Sequence, residues 1–171
     1  MYTHALDPVL LTVAGVDIRY YGLVYVLGFI ALYFYLSYLS RNDDISLDQE
    51  GVDDFVLYFL VGLLIGSRLF TFAFWNASDF LQNPLQLFYI WQGGMSYHGA
   101  LFGSVIATYI LSVKKGWNFW KLADIVSVPA LFLLGLGRIT NFINAELPGT
   151  VTSSSWCVTY PNHDIDGCRH P

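Results

Sequence analysis

Four runs of apolar residues, each close to the length of a membrane-crossing helix, divide the chain. Residues 20–40 carry no charge and are bracketed by Arg19 and Arg41. At 1.5 Å per residue this run covers roughly 30 Å, the thickness of one hydrocarbon core. A polar loop rich in Asp occupies 42–54. The second run, 55–75, is apolar except for Arg68. A connector over 76–94 then holds Pro84 and the Gly93–Gly94 pair, residues that punctuate helices. The third run covers 95–113, a short basic loop covers 114–121, and the fourth run covers 122–143. From Pro148 onward the chain is polar. This pattern predicts an all-α, polytopic membrane protein. About four transmembrane helices form one membrane domain, with an outer-side polar tail over 148–171.

Composition supports the same class. Hydrophobic residues make up 55% of the 171, and charged residues only 12%, about half the share of an ordinary soluble domain. The net charge of −5 argues against nucleic acid, which calls for a basic patch. Residues 1–17 lack a positive n-region and include Asp7 and Pro8, so the first span, rather than a cleaved signal, is expected to direct insertion. Lys and Arg set orientation, and acidic residues count little. Arg41, Lys114, Lys115 and Lys121 lie in loops of one side, while the 76–94 connector has no basic residue. The N-terminus is therefore predicted outside and the basic loops in the cytoplasm.

The expensive residues gather toward the outer side. An arginine near the bilayer centre costs about 3 kcal/mol on insertion scales, and this chain has two in its spans, Arg68 and Arg138. Both helices run outward, which places each guanidinium in an outer half. His98 stands near the outer start of the third span and Tyr21 at that of the first. Asn141, Asn144 and Glu146 follow Arg138, with 138, 141 and 144 spaced to share a helix face. A guanidinium at headgroup depth offers a planar fork of donors suited to phosphate. Asn side chains there can bond ester or glycerol oxygens, and a histidine can move a proton near neutral pH. These residues predict lipid-headgroup binding or chemistry at the outer interface, without choosing a reaction.

Plainer readings stand beside these. Either arginine can be a structural ion pair or can snorkel to the interface. His98 can be a helix-start residue, and the tyrosines and tryptophans an aromatic belt. Asp124 suits the start of the fourth helix. Gly62, Gly66, Gly135 and Gly137 suit close helix packing. Cys157 and Cys168 pair as a disulfide or remain thiols; a zinc site with His163 and His170 fits no standard spacing. Two non-enzymatic functions compete: a small anion transporter, and a noncatalytic lipid-binding membrane module. A transporter calls for a polar stripe along whole helices, whereas 30–39 and 106–113 are mostly apolar.

At the same residues the chain resembles the prolipoprotein diacylglyceryl transferase family. The likeness runs through Tyr20-Tyr21-Gly22-Leu23, Gly66-Ser67-Arg68 and Trp91-Gln92-Gly93-Gly94-Met95-Ser96-Tyr97-His98-Gly99. It is strongest at Gly137-Arg138-Ile139-Thr140-Asn141-Phe142-Ile143-Asn144-Ala145-Glu146-Leu147, then Gly149, and the final His170-Pro171 resembles the opening of a further family motif. The resemblance implies transfer of diacylglyceryl from phosphatidylglycerol to the lipobox cysteine of a prolipoprotein delivered with its signal peptide, leaving glycerol phosphate. It implies the inner (plasma) membrane, and neither metal nor organic cofactor. By position, Arg138 would hold the lipid phosphate and stabilise the leaving group. His98, with Tyr21, would activate the thiol. Asn141, Asn144, Glu146, Gly149 and Arg68 would shape the substrate pocket. Ala100, Thr140, Pro148 and Thr150 depart from the usual family residues. Family members continue through further helices, so the resemblance implies an N-terminal portion.

Overall fold

The apolar runs form helices, and polar neighbours decide where they begin and end. The computed structural model describes residues 1–13, 16–42, 44–75, 77, 82–89, 94–161 and 165–171. Much of the 76–94 connector, the Trp91-Gln92-Gly93 part of the quoted motif, and His163 therefore lie outside the described residues. The first run is α1 (Tyr20–Arg41). The second is α2 (Gln49–Phe74), which starts well before residue 55. The cause is a cap. The Asp48 carboxylate accepts the Gly51 amide at 2.8 Å, and Glu50 in the first turn meets the positive end of the helix dipole. Part of the segment expected as the 42–54 loop is thus helical.

The third run is α3 (Tyr97–Lys115), capped by Ser96, whose hydroxyl accepts the Gly99 amide at 3.3 Å. It ends at Gly116 with φ +72°, a left-handed conformation that glycine adopts freely. The fourth is α4 (Phe119–Ile143), with Pro129 inside it; Asp124, expected at its start, falls in its second turn. Among the described residues, α1, α2 and α4 are long and apolar enough to cross a membrane. Helix α3 is less apolar, since Ser104, Thr108 and Ser112 recur every fourth residue, and all three are buried. The Ser104 and Thr108 hydroxyls donate back to the Leu101 and Ser104 carbonyls at 2.9 and 2.8 Å, which satisfies them locally.

The chain divides into two compact units, residues 29–127 and residues 1–28 with 128–171. In the first, α2 and α3 touch through glycines. A Cβ on Gly66 would lie 2.3 Å from the Gly99 carbonyl oxygen, and one on Gly103 would lie 2.1 Å from that of Gly62. The expected close packing at Gly62 and Gly66 is present. Leu36, Val52, Phe55 and Leu111 fill the adjoining core. A Gly66→Leu change is expected to force the pair apart, costing about 3 kcal/mol or more; unfolding in detergent micelles measures it, and an unchanged midpoint would contradict the packing.

The second unit adds small sheets to the helical bulk. Strands β2 (Val9–Val13) and β3 (Val16–Arg19) form a hairpin leading directly into α1. Strand β1 (Tyr2–Thr3) runs parallel to β4 (Val158–Tyr160), which pairs antiparallel with β5 (Ile165–Arg169). Cys157 and Cys168 form a disulfide with their Cα atoms 5.5 Å apart, which settles one of the open alternatives. The mostly helical expectation holds; the 148–171 segment is not simply a polar loop, since β4 and β5 lie within it. Gly135 and Gly137, expected at a helix contact, have nothing within 4 Å of a built Cβ among the described residues.

Candidate functional site

The two arginines differ in what their donors meet. Arg68, in the last two turns of α2, is 5% exposed. Its Nε donates to the Leu87 carbonyl at 3.3 Å, Nη1 to that of Gly94 at 3.1 Å, and Nη2 to those of Tyr89 at 3.2 Å and Gln86. The guanidinium also lies 5.0 Å from the centre of the Phe72 ring. A planar fork thus gathers carbonyls from the connector, among whose described residues Pro84–Phe88 form a short 3-10 helix. Arg68, expected to touch substrate, has its fork turned onto this chain's own backbone.

His98 is the second residue of α3, just past the connector. The Ser96 amide donates to the Ser67 carbonyl at 3.2 Å, so α2 holds the entry to α3 at two adjacent residues. The His98 ring stacks at 6.4 Å on Phe70 and meets Tyr97 edge-on at 5.5 Å. It is exposed, and among the described residues its nitrogens make no hydrogen bond.

Arg138 and Asn141 lie on the last turns of α4, in the other unit. Arg138 is exposed and, among the described residues, makes neither a hydrogen bond nor an ion pair. Helix α4 closes in a Schellman turn: the Glu146 amide donates to the Asn141 carbonyl at 2.8 Å and the Ala145 amide to that of Phe142 at 3.1 Å. Ala145 takes φ 54° there, and Leu147 follows at φ 52°. A non-glycine residue in this region carries about 1 kcal/mol of strain, so the surrounding contacts must hold it. Asn144 follows the last helical residue, Ile143, and its amide still donates to the Thr140 carbonyl at 2.9 Å, so it caps the helix. Its Nδ2 donates to Glu146 Oε1 at 3.3 Å, while its buried Oδ1 meets no donor among the described residues.

Gly149 explains itself by proximity. Its amide donates to the His170 carbonyl at 3.0 Å, its carbonyl accepts Arg169 Nη1 at 3.2 Å, and a Cβ would sit 2.8 Å from both Cβ and O of His170. Glycine here admits the end of β5. Tyr21, on the first turn of α1, has its hydroxyl 3.2 Å from that of Tyr25. Each unit thus assembles part of the expected set: Asn141, Asn144 and Glu146 in one, Arg68 and the approach to His98 in the other. Sequence reading missed His4, which is fully buried against the Arg138-bearing helix end; nothing local marks a lone histidine in a polar N-terminal stretch.

The family model for prolipoprotein diacylglyceryl transferase matches residues 8–171. Three similar proteins carry the name phosphatidylglycerol–prolipoprotein diacylglyceryl transferase. That of Geobacter sulfurreducens is 41% identical over 91% of this chain and 60% of its own length. That of Solidesulfovibrio magneticus is 39% identical over 100% and 65%. That of Haemophilus influenzae strain PittEE is 41% identical over 96% and 62%. The chain spans about three fifths of the length of these curated relatives.

Proposed function

The chain belongs to the prolipoprotein diacylglyceryl transferase family, is a membrane protein, and on that premise we propose that it provides headgroup-binding and thiol-activating residues for diacylglyceryl transfer. In the proposed reaction the thiol of a prolipoprotein's lipobox cysteine loses its proton, and the thiolate attacks the glyceryl carbon that bears phosphate. A C–S bond forms as the C–O bond breaks, and glycerol phosphate departs from phosphatidylglycerol. The thiolate is the competent nucleophile. His98, exposed and without a hydrogen bond among the described residues, receives the proton, with Tyr21 supporting it. Arg138 binds the phosphate and offsets the charge that builds on it as the bond breaks. Asn141 and Asn144 bond headgroup oxygens, with Glu146 orienting Asn144.

One observation supports this reading above the rest. Arg138 lies near the end of an apolar helix, and among the described residues its fork has no partner, whereas Arg68 is occupied by carbonyls. An uncommitted guanidinium on such a helix is costly to maintain without a ligand, and a phosphate at headgroup depth supplies one. We read residues 20–40, 55–75, 95–113 and 122–143 as four spans of one membrane domain in the inner membrane. The N-terminus and the 148–171 segment lie outside.

The reading is tested by incubating the natural full-length protein with phosphatidylglycerol vesicles and a lipobox peptide. Release of glycerol phosphate matched by thioether on the peptide supports it; no release from folded protein overturns it. His98→Gln is expected to lower turnover about 10²-fold or more, as loss of a general base does. The deficit should shrink as pH rises and the thiol ionises unaided. A His98→Gln protein with parental turnover at neutral pH removes the base role.

A further inference from the structure

The Phe142 carbonyl receives a second hydrogen bond, from outside its helix. It already accepts the Ala145 amide that closes the turn at the end of α4. The imidazole Nε2 of His4 lies 2.8 Å from the same oxygen. Next to a carbonyl that nitrogen must carry a proton, as it does in both the Nε2–H tautomer and the cation. Both donors meet the negative end of the helix dipole, where an N–H is favourable.

His4 is held there by its own surroundings. Its amide donates to the Thr159 carbonyl at 2.8 Å, continuing the β1–β4 pairing. The ring is 0% exposed, edge-on to Phe142 at 5.4 Å and tilted against Tyr160 at 5.1 Å. Tyr160 belongs to the small core that buries Ala145. The β1–β4 pair, stapled on one side by Cys157–Cys168, thus reaches the turn through one ring.

We propose that His4 is a positioning residue that fixes the 141–149 turn, and through it the headgroup contacts of Asn141 and of Asn144, which Glu146 orients. This rests on the function proposed above for those residues. The turn needs such a brace because Ala145 and Leu147 hold left-handed backbone without glycine. With the Phe142 carbonyl short of one donor, the strained turn relaxes and Asn144 and Glu146 lose their mutual placement.

The test uses His4→Phe, which keeps an apolar ring but has no donor, and His4→Gln, whose amide nitrogen reaches about as far as Nε2. Both are made in the natural full-length protein in detergent. Amide hydrogen exchange is followed over 141–149 and over 158–169, together with glycerol phosphate release from phosphatidylglycerol. For His4→Phe, exchange at the Ala145 and Glu146 amides is expected to quicken about tenfold, in line with loss of one buried hydrogen bond. The 158–169 amides should change less than threefold, and the KM for phosphatidylglycerol should rise about tenfold. His4→Gln should stay within about threefold of parent in each readout. Unchanged exchange at 145 and 146 overturns the brace. Equal acceleration over 158–169 overturns it too, since His4 would then only stabilise the sheet. Quickened exchange with unaltered KM overturns the link to the headgroup. If the parent releases no glycerol phosphate, the proposed function fails, while the exchange arm still decides the brace.

Discussion

Replacing Arg138 by lysine is expected to lower diacylglyceryl transfer by about 10²-fold while leaving the protein folded. A lysine keeps the charge but presents a point ammonium, and it cannot reproduce two parallel N–H bonds to a phosphate. Loss of one charge-assisted hydrogen bond amounts to about 1.5–3 kcal/mol, or roughly 10- to 150-fold in rate. Arg138→Ala should fall further, since the charge goes as well. Neither change should lower the unfolding midpoint appreciably, because Arg138 is exposed and has no hydrogen bond or ion pair among the described residues. The measurement is glycerol phosphate release per folded molecule, paired with thermal unfolding in micelles. Parental release by Arg138→Lys would remove the phosphate-binding role.

Arg68 should behave in the opposite way. Arg68→Met strips donors from the carbonyls of Gln86, Leu87, Tyr89 and Gly94 at once. Each carbonyl left short of a partner costs about 1–3 kcal/mol when fully dry. These carbonyls belong to half-buried or exposed residues and recover part of that from water, so a total near 3 kcal/mol is expected. Arg68→Lys should recover less than half, since one ammonium cannot face carbonyls spread around a planar fork. The signature is a lowered midpoint, with faster amide exchange across 84–89. Were Arg68 instead a phosphate ligand, Arg68→Met would leave the midpoint alone and weaken only phosphatidylglycerol binding. The two arginines are thus separable by a single pair of measurements.

Hydropathy located the four helices, and their ends to within a few residues except the start of α2, since an apolar run is a property of each residue in it. The errors fall where a side chain ends or begins a helix. Asp48 caps α2 and draws 49–54 into it. Gly62 and Gly66 were legible as packing residues, because small residues on one helix face permit backbone approach whatever the partner. Gly135 and Gly137 look the same in sequence but meet nothing comparable. Strand β1 left no local signal, for Tyr2 pairs with Val158 and Thr3 with Thr159, partners that no window of sequence contains together.

The residue pattern by itself determined that the chain is mostly helical and built for a membrane, and it singled out Arg138, Asn141, Asn144, Glu146 and His98 as candidates. Burial tendency and motif chemistry are carried by the residues in order along the chain. Tertiary structure alone decided which guanidinium is occupied by backbone carbonyls, why Gly149 must lack a Cβ, and that His4 reaches the end of α4. Each of these depends on a hydrogen-bond partner or a contact brought close by folding: 18 to 26 positions for Arg68, 20 for the Arg169 bond to Gly149, and 138 for His4. A donor's identity is written in the sequence, but its acceptor is chosen only once the chain has folded.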